Sequence, residues 1–317
     1  MMRARTRIPL LAVCLPLGAS VGAYPPAPSR AESNDIEALK PDCREAYACL
    51  CPWRDVLRSG DFQVLPASLV PTQVVRCWGQ SECEWHVAED ERGIAIFHSR
   101  PDLLRDPLPV EHLVTLGNPS WDSRGVRHVV PVEGGWIVGF NSGEFGGGLW
   151  WVAQDGSRYR RLEGSNIVDL IKTPGGVIAL TGLDHLSIRG KGEAFLVSRA
   201  RHREWRAKRL AVVGASAYAA TTAPDGSVLV VTRTQLVRLG LGGRVTVLHT
   251  GRWDDFFQIG KNSESAFYPG SVVARANGEI FVGMRAVLVR LVPQAHGYSE
   301  EWLAPAKCIE RQKARSQ

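Results

Sequence analysis

Five times along the chain, an apolar stretch, a Gly-containing turn and a second apolar stretch follow one another. The stretches before the turns are Trp85–Ala88, His128–Val132, Ile167–Ile171, Ala217–Thr221 and Val272–Ala274, and those after them are Ile94–Phe97, Trp136–Gly139, Val177–Leu180, Val228–Val231 and Ile280–Gly283. Gly and Asn accept the positive φ angles that tight hairpin turns require. The pattern therefore predicts five β-hairpins.

The hairpins recur at a nearly regular interval. Their anchoring glycines are Gly93, Gly135, Gly176, Gly226 and Gly278, at spacings of 42, 41, 50 and 52 residues. Further short stretches after the hairpins predict third and fourth strands: Leu149–Val152, Tyr159–Leu162, Phe195–Val197, Trp205–Leu210, Leu236–Leu239, Val245–Leu248, Val287–Leu291 and Glu301–Leu303, with only His112–Leu116 in the first repeat. Four short strands in about 40 to 50 residues are typical of a β-propeller blade.

The repeats resemble the blades of bacterial propellers of the NHL, WD40-like and sensor-propeller kinds over residues 61–305, without the Gly-His and Trp-Asp pairs of true WD40 repeats. The resemblance implies an all-β propeller, for which five blades are predicted and six are the alternative. Asp61–Leu65 is expected to close the ring by joining the last blade. An irregular β-sandwich is the competing fold, whereas the lack of a helical stripe between residues 60 and 300 argues against α/β folds.

Residues 1–23 have the three parts of an export signal. Arg3, Arg5 and Arg7 precede the apolar run Ile8–Leu17, and a stretch of small residues ends at Ala23. The run is shorter than the roughly 20 apolar residues that span a bilayer, so a cleaved signal peptide is predicted. No later stretch is long and apolar enough for a membrane helix. We therefore expect an exported bacterial protein, periplasmic or secreted, without a transmembrane segment.

Removal of the signal changes both the charge and the cysteine count. The whole chain has 38 Lys+Arg, 32 Asp+Glu and a formal net charge of +6, and without the three signal arginines the charge is +3 (35 against 32). This weak basic balance does not favour nucleic acid as a partner. Six of the seven cysteines remain, and an even number in an exported chain predicts disulfides: Cys43, Cys49, Cys51, Cys77, Cys83 and Cys308.

A local Cys77–Cys83 disulfide is expected, and Cys308 is expected to tie the C-terminus to the N-terminal cysteines, while the other pairings stay open. The Cys-x-Cys spacing does not fit the usual zinc sites, so neither a metal nor a cofactor is predicted. Residues 24–60 predict a Pro-rich linker and a short helical, disulfide-bearing extension, since Asn34 with Glu37 resembles a capping box. Residues 306–317 predict a polar, frayed tail.

Candidate ligand-binding residues lie in the loops that a propeller brings to one mouth of its channel. The Gly-rich segment after the second strand of the second repeat offers Asn141, Glu144 and Phe145. Loops between blades offer further side chains: Trp121, Arg124, Trp253, Asp255 and Tyr268. The predicted function is a monomeric, non-enzymatic binding or scaffold module for a protein or glycan ligand.

A hydrolase that cleaves a glycan or an ester is the alternative function. Carboxylates from different blades that meet at the channel would supply the acid and the nucleophile or base of glycoside hydrolysis; the candidates are Glu144, Asp122, Asp169 and Asp254. The competing interpretation is that Asp and Asn in such loops bond to the turn backbone. The basic residues between Arg199 and Arg209 are expected to form a solvated outer edge, with contact to acidic glycans or anionic lipid headgroups as the alternative. Trp151 and Trp205 are expected to pack between blades.

Overall fold

The computed structural model describes residues 56–65, 84–98, 126–185, 188–189, 191–200, 204–251, 269–285 and 287–315. The chain divides into two compact units, Met1–Lys40 and Pro41–Gln317. All described residues belong to the second unit, so the predicted signal peptide and all but the last residues of the predicted extension lie outside them. The signal peptide and the domain boundaries therefore stay predictions.

The described strands form five larger antiparallel sheets. Sheet 1 has the order β1–β4–β3 and consists of β1 (Leu57–Arg58), β3 (Trp85–Asp90) and β4 (Gly93–His98). Sheet 2 consists of β5 (Val126–Val132), β6 (Gly135–Asn141), β7 (Gly147–Ala153) and β8 (Tyr159–Glu163), in that order. Sheet 3 has the order β9–β10–β13–β14, from β9 (Ile167–Thr173), β10 (Gly176–Thr181), β13 (Glu193–Arg199) and β14 (Trp205–Val212), with a small hairpin of β11 (Asp184–His185) and β12 (Ile188–Arg189) before β13.

The last two sheets follow the same plan. Sheet 4 consists of β15 (Ala217–Thr222), β16 (Val228–Thr232), β17 (Gln235–Leu239) and β18 (Val245–Thr250). Sheet 5 has the order β19–β20–β21–β22–β2, from β19 (Pro269–Ala274), β20 (Ile280–Met284), β21 (Leu288–Gln294), β22 (Gly297–Pro305) and the N-terminal strand β2 (Phe62–Val64). Single 3-10 turns occur at Ser59–Asp61 and Gly143–Phe145, and helix α1 spans Ala306–Arg315.

All five predicted hairpins are confirmed, as β3–β4, β5–β6, β9–β10, β15–β16 and β19–β20. The first strands pack side by side: β5 against β9, β9 against β15, β15 against β19, and β19 against β3. This is the arrangement of propeller blades with their first strands innermost, so the predicted all-β, propeller-type fold is confirmed. The number of blades stays a prediction, because residues 66–83, 99–125 and 252–268 lie outside the described part of the chain, as does the strand predicted at His112–Leu116.

Each second strand is buried on both faces, which explains its uninterrupted apolar sequence. In β10, Val177 and Ala179 belong to the core shared with sheet 2, whereas Ile178 and Leu180 belong to the core shared with sheet 4. Strand β16 repeats this division between sheets 3 and 5. The hydrophobic core is therefore a series of layers between neighbouring sheets, and each second strand lies between two layers.

The N-terminal segment joins the last sheet to the first. Strand β1 pairs with β4 in sheet 1, and a few residues later β2 pairs with β22 in sheet 5, with Phe62 opposite Pro305 and Val64 opposite Leu303. The predicted pairing of Asp61–Leu65 with the last blade is thus confirmed. Strand β1 begins four residues before the predicted start of the propeller at residue 61, so the segment contributes to both sheets rather than to one.

The C-terminal residues differ from the polar, frayed tail that their composition predicts. Ala306–Arg315 is an α-helix, and its residues Cys308 and Ile309 are fully buried in the core of sheets 4 and 5. Two core residues in the first turn anchor a segment that is otherwise polar. The other five cysteines of the predicted disulfides lie outside the described residues, so their pairing stays a prediction. None of the described helices has the length and apolarity needed to cross a membrane.

Candidate functional site

The antiparallel strand order divides the connections between two ends of the sheets. Hairpin turns and the turns between third and fourth strands lie at one end, which we call the turn face. The loops after second strands, such as 142–146, and the residues that lead into the next first strand, such as 164–166, lie at the other end, which we call the loop face. The ligand-binding residues predicted from sequence belong to the loop face.

A repeated contact fixes the loop face. The residue before a first strand bonds to the loop after the second strand of the preceding sheet. Asn166 Nδ2 donates to the Gly143 carbonyl oxygen at 2.7 Å, and Ser216 Oγ donates to the Leu183 carbonyl oxygen at 2.8 Å. Arg285 of sheet 5 lies 3.4 Å from the Glu84 carboxylate, which precedes β3 of sheet 1. Neighbouring blades thus hold each other's loops.

The loop between β6 and β7 is rigidly built. Ser142 N donates to the Gly146 carbonyl oxygen at 2.8 Å, and the Gly146 N–H and Phe145 N–H donate back into the same loop at 3.2 Å. Asn141 Oδ1 accepts a bond from the Gly143 N–H at 2.9 Å. These bonds satisfy the backbone and leave the Glu144 and Phe145 side chains at the surface, with Phe145 57% exposed.

The predicted ligand-binding residues of this loop therefore divide into two kinds. Asn141 stabilises the loop by accepting a hydrogen bond from the Gly143 N–H, and it thereby helps to hold Glu144 and Phe145 at the surface. Glu144 and Phe145 are exposed at the tip, as a carboxylate and an aromatic ring on adjacent residues. An exposed aromatic ring on a constrained loop presents apolar contact area at a low cost in side-chain entropy.

Asp169, a candidate catalytic carboxylate, bonds to backbone in two directions. Its Oδ1 accepts from the Leu170 N–H at 2.8 Å, and its Oδ2 accepts from the Ala220 N–H of β15 at 3.0 Å. His128 of β5 lies 3.9 Å from the same carboxylate. The Ala220 N–H belongs to the innermost strand of sheet 4, so Asp169 satisfies a donor at an otherwise unpaired strand edge.

Ser271 has the same place in sheet 5, seven residues before its anchoring glycine, as Asp169 has in sheet 3. Its hydroxyl accepts a bond from the Val87 N–H of β3 at 2.9 Å. In two different sheets, a polar side chain on the innermost strand thus accepts a hydrogen bond from the backbone of the neighbouring innermost strand. The recurrence indicates a structural role for Asp169.

Replacement of Asp169 by Ala is expected to lower the free energy of unfolding by roughly 1–3 kcal/mol, because the Ala220 N–H loses its acceptor in a partly buried site. Asp169→Asn keeps one acceptor oxygen and is expected to lose less. Urea denaturation of the two variants measures the difference. An Asp169→Ala protein as stable as the parent would contradict the structural role.

Seven further predicted residues lie outside the described part of the chain: Trp121, Asp122, Arg124, Trp253, Asp254, Asp255 and Tyr268. Whether carboxylates of different blades meet as the hydrolase alternative requires therefore stays a prediction. Within the described residues, no group of three or more His, Cys, Asp or Glu side chains is arranged to hold a metal ion.

Sequence patterns did not reveal a concave region on the turn face between sheets 2 and 3. Two cavities of about 410 Å³ each share the wall formed by Trp205. Trp151 and Trp205 pack in the core between these sheets, as predicted. Arg199 was expected only at a solvated edge, but it forms an ion pair with Glu133 of sheet 2 at 2.6 Å and lies over the Trp205 ring. These residues are far apart in the sequence, and the packing of sheet 2 on sheet 3 brings them together.

The chain matches no protein-family model and no curated protein. Among solved structures it is similar to an auxiliary nutrient binding protein from Bacteroides ovatus, at 10% identity and a TM-score of 0.34, over 52% of this chain and 38% of that one. It is also similar to the calcium-binding protein regucalcin from Agrobacterium tumefaciens, at 14% identity and a TM-score of 0.35, over 54% and 58% of the two chains. A third is the extracellular domain of a one component system from B. thetaiotaomicron, at 12% identity and a TM-score of 0.33, over 70% and 26%.

The aligned part thus covers between 26% and 58% of these structures. Likenesses this weak carry no argument about ligand, partner or activity.

Proposed function

We propose that the protein is an exported propeller that binds a protein or glycan ligand at its loop face, as a binding or scaffold module. The observation that carries the proposal is the loop between β6 and β7, in which a closed set of hydrogen bonds constrains Glu144 and Phe145 at the surface. A loop constrained in this way binds without a large ordering cost. Phe145 supplies apolar contact, and Glu144 supplies a charge that orients the ligand.

The cross-blade contacts support the same proposal. The Asn166 side chain holds the loop from the next sheet, and its 8% exposure shows that the contact is shielded from water. A Cβ at Gly147 would overlap Asn166, so the chain approaches this side chain as closely as glycine permits. The packing of two blades therefore fixes the position of the loop, and a loop in a fixed position can bind one ligand selectively.

The proposal is tested by a thermal-shift screen of glycans and candidate proteins against the protein purified after export. A ligand at a hundred times its Kd stabilises the folded state by about 2.7 kcal/mol, which corresponds to a shift of roughly 5 °C or more. Glu144→Ala is expected to reduce the shift for any hit, measured from the melting temperature of the unliganded variant. A hit whose shift is the same in Glu144→Ala and in the parent would count against the loop.

Export, disulfides and a monomeric state belong to this proposal as well. The N-terminal pattern of basic, apolar and small residues supports export, and the even cysteine count supports disulfides that include Cys308. A stabilised extracellular chain suits a binding module that has to persist outside the cell.

A further inference from the structure

We propose that the protein has a second ligand site on the turn face, between sheets 2 and 3, which binds an acidic sugar bearing a carboxylate or sulfate group. The site is formed by Arg158 and Arg160 of sheet 2 and Arg199 of sheet 3, with Trp151 and Trp205 beneath them. We call it the Arg–Trp groove. It is separate from the loop face, because all of its residues lie at or near turns at the opposite end of the strands.

The groove has the size of a small-ligand site. The outer cavity, of about 410 Å³, is lined by the five groove residues together with Gly134 and Glu204. The inner cavity, also of about 410 Å³, lies against the hairpin turns of the two sheets and includes Glu133, Lys172, Pro131 and Pro174. Small-ligand pockets usually measure about 300–1,000 Å³. Each cavity therefore accommodates one or two sugar rings, and the shared Trp205 wall makes them adjacent subsites.

Positive charge exceeds negative charge in the groove. Arg160 pairs with Glu204 at 3.1 Å and also donates to the Trp205 carbonyl oxygen, while Arg199 pairs with Glu133. Arg158 forms no ion pair with any described residue, and Lys172 adds a further cation. Four cations thus face two carboxylates.

The carboxylate of Glu204 does not neutralise the groove. Arg160 and then Arg206 hold the pKa of Glu204 below its ordinary value by donating to its carboxylate, so Glu204 is ionised and shared between two arginines at neutral pH. Arg158 acts on the exposed carboxylate of Asp155, whose pKa is held below its ordinary value first by hydrogen bonds from Ser157 and then by the charge of Arg158. Asp155 does not line the groove, so the excess of cations over carboxylates in the lining favours a ligand anion.

The arginines are held in place by the indole rings. The guanidinium carbon of Arg158 lies 5.9 Å from the Trp151 ring centroid, and that of Arg199 lies 5.9 Å from the Trp205 ring centroid. Trp205 is only 8% exposed and is fixed in the core between sheets 2 and 3. A guanidinium that stacks on a fixed ring keeps its N–H groups along its edge, where they bond a carboxylate or sulfate in a two-pronged manner.

The same contacts favour a sugar over a nucleotide. The guanidinium groups of Arg158 and Arg199 already lie over the two indole rings, on which a nucleotide base would otherwise stack. Sugar rings need only aliphatic and edge contacts, which Pro131, Pro174 and the indole edges offer.

The test is calorimetric titration of the full exported protein with a galacturonate trisaccharide, beside the neutral galactose trisaccharide and inorganic sulfate. We expect the acidic trisaccharide to bind with a Kd below about 1 mM, to weaken with added salt, and to bind at least tenfold more tightly than either comparison ligand. Arg158→Ala is expected to weaken binding by about tenfold or more, because a charge-assisted hydrogen bond is lost.

A control variant separates this site from the rest of the molecule. Arg238→Ala removes an arginine that pairs with Asp225 in sheet 4 and is expected to leave the affinity unchanged. Unchanged affinity in Arg158→Ala, an equal loss of affinity in Arg238→Ala, or equal affinity for the neutral sugar would each overturn the proposal. Equal binding of sulfate alone would reduce the groove to an unspecific anion site and overturn it as well.

Discussion

Gly135→Ala and Gly176→Ala are each expected to lower the free energy of unfolding by roughly 2–5 kcal/mol. Both glycines open the second strand of their sheet with a positive φ, at 155° and 136°. A Cβ at Gly135 would overlap the Val152 carbonyl oxygen, and a Cβ at Gly176 would overlap the Val197 carbonyl oxygen. The obstacle is the backbone of the third strand, which cannot turn away as a side chain can. The cost is therefore higher than that of an ordinary turn substitution.

The neighbouring Gly175 provides a matched control. It lies in the same hairpin turn as Gly176, has no positive φ, and has open space where a Cβ would be placed. Gly175→Ala is expected to change the stability by less than about 1 kcal/mol. Chemical denaturation of the three variants measures the contrast. Equal stability of Gly176→Ala and Gly175→Ala would show that the second strand does not approach the third as closely as described.

Phe62→Ala is expected to lower the free energy of unfolding by about 3–5 kcal/mol, a loss typical of replacing a buried aromatic residue. Phe62 lies on β2, the strand that the N-terminal segment adds to sheet 5, and it is 6% exposed. Its ring meets Trp85 of sheet 1 edge to face, with 5.4 Å between ring centroids. Leu303 of sheet 5 and Ile96 of sheet 1 belong to the same core. The substitution thus weakens the contact through which the first and last sheets are joined.

Val64 is the control within the same strand. It is two residues from Phe62, pairs with Leu303 in the backbone ladder, and is 48% exposed. Val64→Ala is expected to change the stability by no more than about 0.5 kcal/mol. Thermal denaturation of both variants distinguishes a specific role of the Phe62 ring from a general effect of substitutions in β2. A small loss in Phe62→Ala would mean that the ring does not contribute to joining the two sheets.

The apolar pattern predicted the sheets well because their second strands are buried on both faces. Residues such as Val177 and Ile178 are both apolar since each faces a different neighbouring sheet. The pairing of β2 with the last sheet was predictable, because Asp61–Leu65 is a short stretch that precedes the first repeat and belongs to none of the five. The C-terminal helix was not, because only Cys308 and Ile309 of its first turn enter the core and no helical period results.

The functional surfaces were harder to predict, because they depend on contacts between distant residues. Asp169 is one of several loop and strand carboxylates in the sequence, and its backbone partner Ala220 lies 51 residues further on. The Arg–Trp groove brings Arg160 to Trp205 across 45 residues. Composition identified the arginines and tryptophans, but only the packing of sheet 2 on sheet 3 shows that they line the same cavities.

Ligand binding at the loop face is expected to depend on the constrained loop between β6 and β7. The decisive experiment is calorimetric titration of a ligand found in the thermal-shift screen into the parent, Phe145→Ala and Leu241→Ala proteins. Leu241 is an exposed apolar residue of a turn in sheet 4, at the opposite end of the strands. We expect Phe145→Ala to weaken binding by about tenfold or more and Leu241→Ala to leave it unchanged. Equal affinities of the parent and Phe145→Ala would show that the ligand does not bind through this loop.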